Sequence, residues 1–176
     1  MRRWLHSVLA VVALAGCAEL PGDHGAGTKL GPALQRFVAD GRISLRQGAR
    51  SDHLKFDWRH EPERDVVLFS SPLGQGLAEL GREASGAWLL VPGQAEQRAA
   101  DLQTLAHRLF GAALPLEALV AWLGGAQSEL LGEVDGWQFA VTESAVYRGH
   151  VLPRRIEIRR DDVELRIVIG GWSDHD

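Results

Sequence analysis

Hydrophobic residues recur at every second position over much of this chain, and that period constrains its fold more than any other feature. Gly41, Ile43 and Leu45 alternate with Arg42, Ser44 and Arg46; Leu54, Phe56 and Trp58 alternate with His53, Lys55, Asp57 and Arg59. Later, Trp137, Phe139 and Val141 alternate with Gln138, Ala140 and Thr142. Ile156 and Ile158 stand between Arg155, Glu157 and Arg159, and Val163, Leu165, Ile167 and Ile169 between Glu164, Arg166 and Val168. Each stretch reads as a strand with one buried and one wet face. Residues 66–69 form a continuous apolar run, which reads as a strand covered on both faces. Residues 77–82 and 87–91 read as further strands. No long helix separates these segments, so each strand turns back on its neighbour and the sheet is antiparallel.

The period changes in the middle of the chain. Asp101 is placed to cap a helix that carries Leu102, Leu105, Ala106 and Leu109 on one face and stops at Gly111. After Pro115, the residues Leu116, Leu119, Val120 and Leu123 repeat at helical spacing up to Gly124 and Gly125. A further short helix is expected over residues 32–38, with Pro32 in its first turn. The helical insertion must bury its apolar faces, and the concave face of a curved sheet is the natural partner. Such an interior is either filled or left as a cavity.

The N-terminus carries a different signal. Residues 1–17 read MRRWLHSVLAVVALAGC. Arg2 and Arg3 form a positive head, and residues 8–15 form an apolar run suited to a signal peptide but too short to span a bilayer. Leu14-Ala15-Gly16-Cys17 has the form of a lipobox, with small residues before the cut and a thiol to carry a diacylglycerol. The reading is a signal peptide over 1–16, a lipidated Cys17 leading a flexible Gly-rich tether over 17–31, and one folded domain over 32–176. Ala18 follows the cysteine; aspartate there resembles an inner-membrane retention signal, so its absence favours the outer membrane. Removing the leader takes away Arg2 and Arg3 and moves the net charge from −4 to −6. An acidic domain argues against nucleic acid as a partner. The single cysteine excludes an internal disulfide.

No nucleophile elbow, zinc-protease motif or phosphate-binding loop is present, so neither an enzyme nor a cofactor is expected. His53 and His107 fall on polar faces. Ser173-Asp174-His175-Asp176 reads as a frayed tail rather than a metal site, and Asp161-Asp162 as a turn. The arginine pairs 154–155 and 159–160 flank one strand; they either meet anionic lipid headgroups or, as the favoured reading, are solvated charge at a sheet edge. Trp58, Trp88, Trp122, Trp137 and Trp172 either fill the core or wall a cavity. Ser71-Pro72-Leu73-Gly74 matches a type I turn, which places Leu73 at its tip. That leucine either folds back on the domain or inserts into a partner or membrane.

Taken in order, several of these pieces resemble the LolB family of outer-membrane lipoprotein receptors. They are Gly41-Arg42-Ile43, Phe56-Asp57-Trp58, Ser71-Pro72-Leu73-Gly74, Gly111, Leu114-Pro115, Trp122-Leu123-Gly124-Gly125, Gly136-Trp137 and Leu152-Pro153, ending near Trp172. The resemblance runs from about Phe37 to Trp172. It implies a mainly β fold with an α insertion: an unclosed antiparallel β-barrel whose lid of short helices covers an apolar cavity. It implies a monomeric receptor, anchored by lipid on the periplasmic face of the outer membrane, that accepts lipoproteins from a LolA-like periplasmic carrier. The cavity takes their acyl chains and the receptor releases them into the inner leaflet. Pro72, Leu73 and Gly74 then form a membrane-insertion loop. Candidate cavity-lining residues are Phe56, Trp58, Phe69, Trp88, Leu105, Leu119, Trp122, Trp137, Phe139, Ile156 and Ile158. Two other readings remain: a structural lipoprotein with a filled core, and a lipid-anchored hydrolase.

Overall fold

The computed structural model describes residues 29–173. The expected signal peptide, Cys17 and most of the expected tether lie outside the described residues. Ten strands follow in order: β1 (Phe37–Gln47), β2 (Arg50–Glu61), β3 (Arg64–Ser70), β4 (Gly76–Glu83), β5 (Gly86–Leu90), β6 (Gln97–Ala99), β7 (Leu131–Val134), β8 (Trp137–Tyr147), β9 (His150–Arg160) and β10 (Val163–Ser173). Helices α1 (Leu102–Phe110) and α2 (Leu116–Leu123) lie between β6 and β7.

All pairings are antiparallel, and the order across the sheet is β6-β5-β4-β3-β2-β1-β10-β9-β8-β7. Every neighbour but one is a hairpin; the exception is β1 with β10, which joins the two halves. The strands β6 and β7 are the free edges, and the helical segment runs from one edge to the other. The barrel therefore stays open along one seam, and the helices cross it. This is the curved sheet with a helical lid that the residue pattern and the resemblance predict.

The core is the concave face. Phe37, Ala39 and Leu45 of β1, Phe56 and Trp58 of β2, Val67 and Phe69 of β3, and Leu165, Ile167 and Ile169 of β10 are all buried. Phe56 lies across Gly41; a Cβ there would stand 2.8 Å from the ring and 2.3 Å from the Val168 carbonyl. Only a glycine admits that ring.

Two expectations need correction. Residues 32–36 form no helix, and β1 begins at Phe37. This segment instead straps the end of α2: Leu34 N–H donates to Gly124 O at 2.7 Å, and Gly31 bridges Val151. The run at 66–69 is not covered twice, because Val67 and Phe69 face inward while Leu68 is 44% exposed. The short edge strands β6 and β7 have too few residues to show a period.

Both helices are shorter than an isolated helix needs to be stable in water. The ends of α1 are well made nonetheless. The Asp101 carboxylate accepts from Thr104 N–H at 2.7 Å and from Thr104 Oγ1 at 3.2 Å, as its position predicts. Those bonds hold its carboxyl below the usual range. Gly111 closes α1 in the left-handed region at φ 74°. What keeps the helices in place is apolar packing, α1 against β4–β6 and α2 against β9.

Candidate functional site

The site is the space between the concave sheet and the two helices. Leu102, Leu105, Ala106 and Phe110 of α1 and Leu116, Leu119, Trp122 and Leu123 of α2 are buried against the sheet. Phe110 meets Phe69 edge-on at 5.1 Å, and Trp122 stacks flat on Phe139 at 5.2 Å. Between them remains an all-carbon void of about 20 Å³, lined by residues of β1, β2, β3, β10 and the helical segment. One water needs about 10–15 Å³ of such space, so the void holds no acyl chain as it stands. The hollow is thus closed by the lid's own side chains.

Of the expected lining residues, Trp58, Phe69 and Leu119 border the void. Ile43, Leu45, Val67, Phe110, Leu114, Leu116 and Leu165 complete the wall. Their parity and helical spacing carried that signal, but aromatic size drew attention elsewhere. Phe56, Leu105, Trp122, Trp137, Phe139, Ile156 and Ile158 are buried in the same core, away from the void. Trp137 is capped by the Arg160 guanidinium at 4.4 Å. Trp88 is the one residue on the wrong side. Ala87 and Leu89 face inward, so Trp88 turns outward, covers Gly81 and donates from Nε1 to Glu79 at 3.0 Å.

The hairpin connections place Leu73 at the same end of the sheet as the void's rim. There Gln47 Nε2 donates to the Gly111 carbonyl at 3.5 Å, a long, exposed bond and a weak tie between rim and lid. The turn itself forms as predicted, Gly74 N–H donating to Ser71 O at 2.8 Å, with Gly74 at φ 89°. Leu73 does not fold back; it is 98% exposed. Among the described residues, no helix is long and apolar enough to cross a membrane.

One buried group was not foreseen. Asp65 is fully buried, and its carboxylate accepts from Trp58 Nε1 at 2.9 Å, His60 Nδ1 at 2.8 Å and Arg82 Nε at 2.6 Å. Burial raises its pKa. Hydrogen bonds from His60 and Trp58, with the charges of His60 and Arg82, outweigh it and hold the carboxyl below the ordinary range. An ionised Asp65 only accepts, so His60 carries its proton on Nδ1. The cluster fixes the indole of Trp58 in the wall of the void. By contrast, the buried Trp122 Nε1 on the lid meets no acceptor among the described residues.

Ten antiparallel strands in one unclosed sheet, with two short helices over its carbon-lined concave face, accord with the fold that the resemblance implies. Residues 35–172 match the family model described as outer membrane lipoprotein LolB. The chain belongs to the LolB family. The outer-membrane lipoprotein LolB of Chromobacterium violaceum is 33% identical, over 98% of this chain and 99% of its own. That of Thiobacillus denitrificans is 30% identical over 98% of each. A solved LolA superfamily protein of Nitrosomonas europaea superposes with a TM-score of 0.54 at 10% identity, covering 81% of this chain and 87% of its own. A DUF1329 family protein of Desulfovibrio piger superposes with a TM-score of 0.55, also at 10% identity, over 78% and 85%. These structural likenesses carry the fold alone. This LolB-family chain is accordingly an outer-membrane lipoprotein.

Proposed function

We propose that this LolB-family receptor takes lipoproteins from a LolA-like periplasmic carrier, holds their acyl chains beneath the helical lid, and inserts them into the inner leaflet of the outer membrane. Lipid on Cys17 anchors it there. The observation that carries the reading is the chemistry of the closed hollow: carbon on every wall, filled by the lid rather than by the sheet.

The energetics fit an exchange. Opening the lid uncovers side chains such as Phe110, Leu114, Leu116 and Leu119, each worth about 1.5–3 kcal/mol when buried. That closes the space when no cargo is present. An acyl chain of roughly sixteen carbons brings about 0.8 kcal/mol per methylene, or about 12 kcal/mol, to the same walls. Cargo lipid thus replaces the lid's own carbon at nearly matched cost, and a bilayer replaces the walls in turn. No nucleotide is needed for a downhill hand-over.

A filled interior is also what a purely structural lipoprotein would have. Here part of the filling comes from two helices too short to be stable alone, tied among the described residues to the rim by the Gln47–Gly111 bond and to the preceding segment by the Leu34–Gly124 bond. Such an element is built to leave. The test is delivery of a fluorescent acylated cargo from carrier to vesicles. Leu73→Glu is expected to leave the fold and cargo capture unchanged and to stall insertion. Loss of Leu73 from a bilayer forfeits about 1.5–3 kcal/mol, ten- to a hundredfold in partition. Normal insertion by that variant, or its unfolding, rejects the role of the loop.

A further inference from the structure

The outer face of the sheet carries a directly opposed pair of cations beside the Leu73 loop. Arg42 of β1 and Lys55 of β2 are direct cross-strand partners, and both are exposed. Lys55 is in turn paired with Ser70, the last residue before the loop. Like charges placed directly opposite each other destabilise a sheet. Elsewhere on this face the arrangement differs. Arg46 bonds Glu164, Arg159 bonds Glu157 at 2.8 Å and Glu164 at 3.3 Å, and Arg166 bonds the same two carboxylates at 3.3 Å. Among the described residues Arg42 and Lys55 form no ion pair, and the opposed Asp40 and Asp57 lie one row further from the loop. The two cations border a groove of about 420 Å³ that also takes in His53, Arg166, Val168 and, from the loop itself, Pro72.

We propose that Arg42 and Lys55 form a docking site for the phosphate of an anionic phospholipid headgroup, engaged when the Leu73 loop meets the membrane. The proposal rests on the delivery reading and adds to it the lipid class recognised. Two cations on adjacent strands converge on one group with several acceptor oxygens, and a phosphodiester offsets the repulsion the sheet otherwise bears. Lys55 is three residues in register from Leu73, so a lipid whose headgroup sits at the pair lies beside the inserted leucine. The apolar strip at Val168 and Pro72 meets the first carbons below the phosphate.

The experiment is vesicle flotation of the full mature chain carrying Cys17→Ser, so that no acyl anchor masks docking. Vesicles are phosphatidylethanolamine with either a quarter phosphatidylglycerol or a quarter phosphatidylcholine. The preference for anionic vesicles is expected to fall about thirtyfold in Arg42→Gln/Lys55→Gln, from about fivefold per cation, with neutral-vesicle binding unchanged. Arg98→Gln/Arg148→Gln, which removes the same net charge elsewhere, is expected to keep the preference. Thermal unfolding of the first variant stays equal to or above that of the parent, since a repulsion is removed. Retained anionic preference in Arg42→Gln/Lys55→Gln overturns the proposal, as does an equal loss in the charge-matched control. Unchanged flotation with lost cross-linking to the carrier also overturns it and assigns the pair to an acidic protein surface. Pair-dependent flotation without any cargo delivery by the parent chain sinks the delivery reading and leaves the headgroup site standing.

Discussion

Shortening one lid side chain should weaken the protein and strengthen its grip on lipid at the same time. Leu119 is 1% exposed on α2 and borders the void. In Leu119→Ala, the closed state loses a buried side chain beside space that has already failed to collapse, so the cost to folding should be about 3–5 kcal/mol. The open state never had that burial. Opening therefore becomes cheaper by the transfer share, about 2–3 kcal/mol. If acyl chains bind only the open form, apparent affinity scales with the fraction open, and Kd should fall roughly thirty- to a hundredfold. Urea midpoints read the first effect, and titration with a fluorescent fatty-acyl probe reads the second. Ile156→Ala, equally buried but on the sheet, should show the loss of stability without the gain in affinity. A lowered urea midpoint together with a raised Kd for Leu119→Ala would refute a lid that must leave before lipid enters, since the hollow would then be an ordinary core.

Two other outcomes follow from the buried polar cluster and the outer face. Asp65→Asn breaks a buried ionic network and should cost about 3–5 kcal/mol at neutral pH. Because the folded pKa of Asp65 lies below its unfolded value, its contribution is complete above about pH 4 and is lost as pH falls through the folded value. Urea midpoints of parent and variant should accordingly converge as the medium is taken well below pH 4, and a constant gap would contradict the assignment. Gly81→Val would put a Cβ 2.2 Å from the ring of Trp88, so Trp88 must lift from the outer face. A loss of about 1–3 kcal/mol is expected, with a red-shifted Trp emission; an unchanged melt would show that the ring moves freely.

Much of this architecture follows from residue pattern. The alternations at 41–45, 54–58, 137–141 and 163–169 give strands and inward faces, and Asp101 with Gly111 marks both ends of α1. Pattern fails where it carries no parity. Ala87-Trp88-Leu89-Leu90 is apolar throughout, so nothing in it says that the largest ring turns outward. Asp65 reads as solvent-facing by its charge. Yet it shares parity with Val67 and Phe69, and His60 shares parity with Phe56 and Trp58; two polar residues on the inner face of adjacent strands are the signal of a buried pair. The helix expected at 32–38 fails because Leu34 and Gly31 find backbone partners on Gly124 and Val151 instead. Whether the hollow is full or empty lies beyond any pattern, because the same leucines can wall a space or occupy it.

The bridge between Gly31 and Val151 fixes where the described chain joins the sheet. Val151 stands at the start of β9, by the hairpin tip at 148–149, and the Leu73 turn lies at the far end of the ladder. A strand of eleven residues spans about 37 Å. The point where the described chain joins the sheet and the bare leucine are therefore held about one strand length apart, at opposite ends of the ladder. A surface that meets Leu73 leaves Gly31 and the segment packed on α2 untouched, so contact at one end does not disturb the pairing at the other.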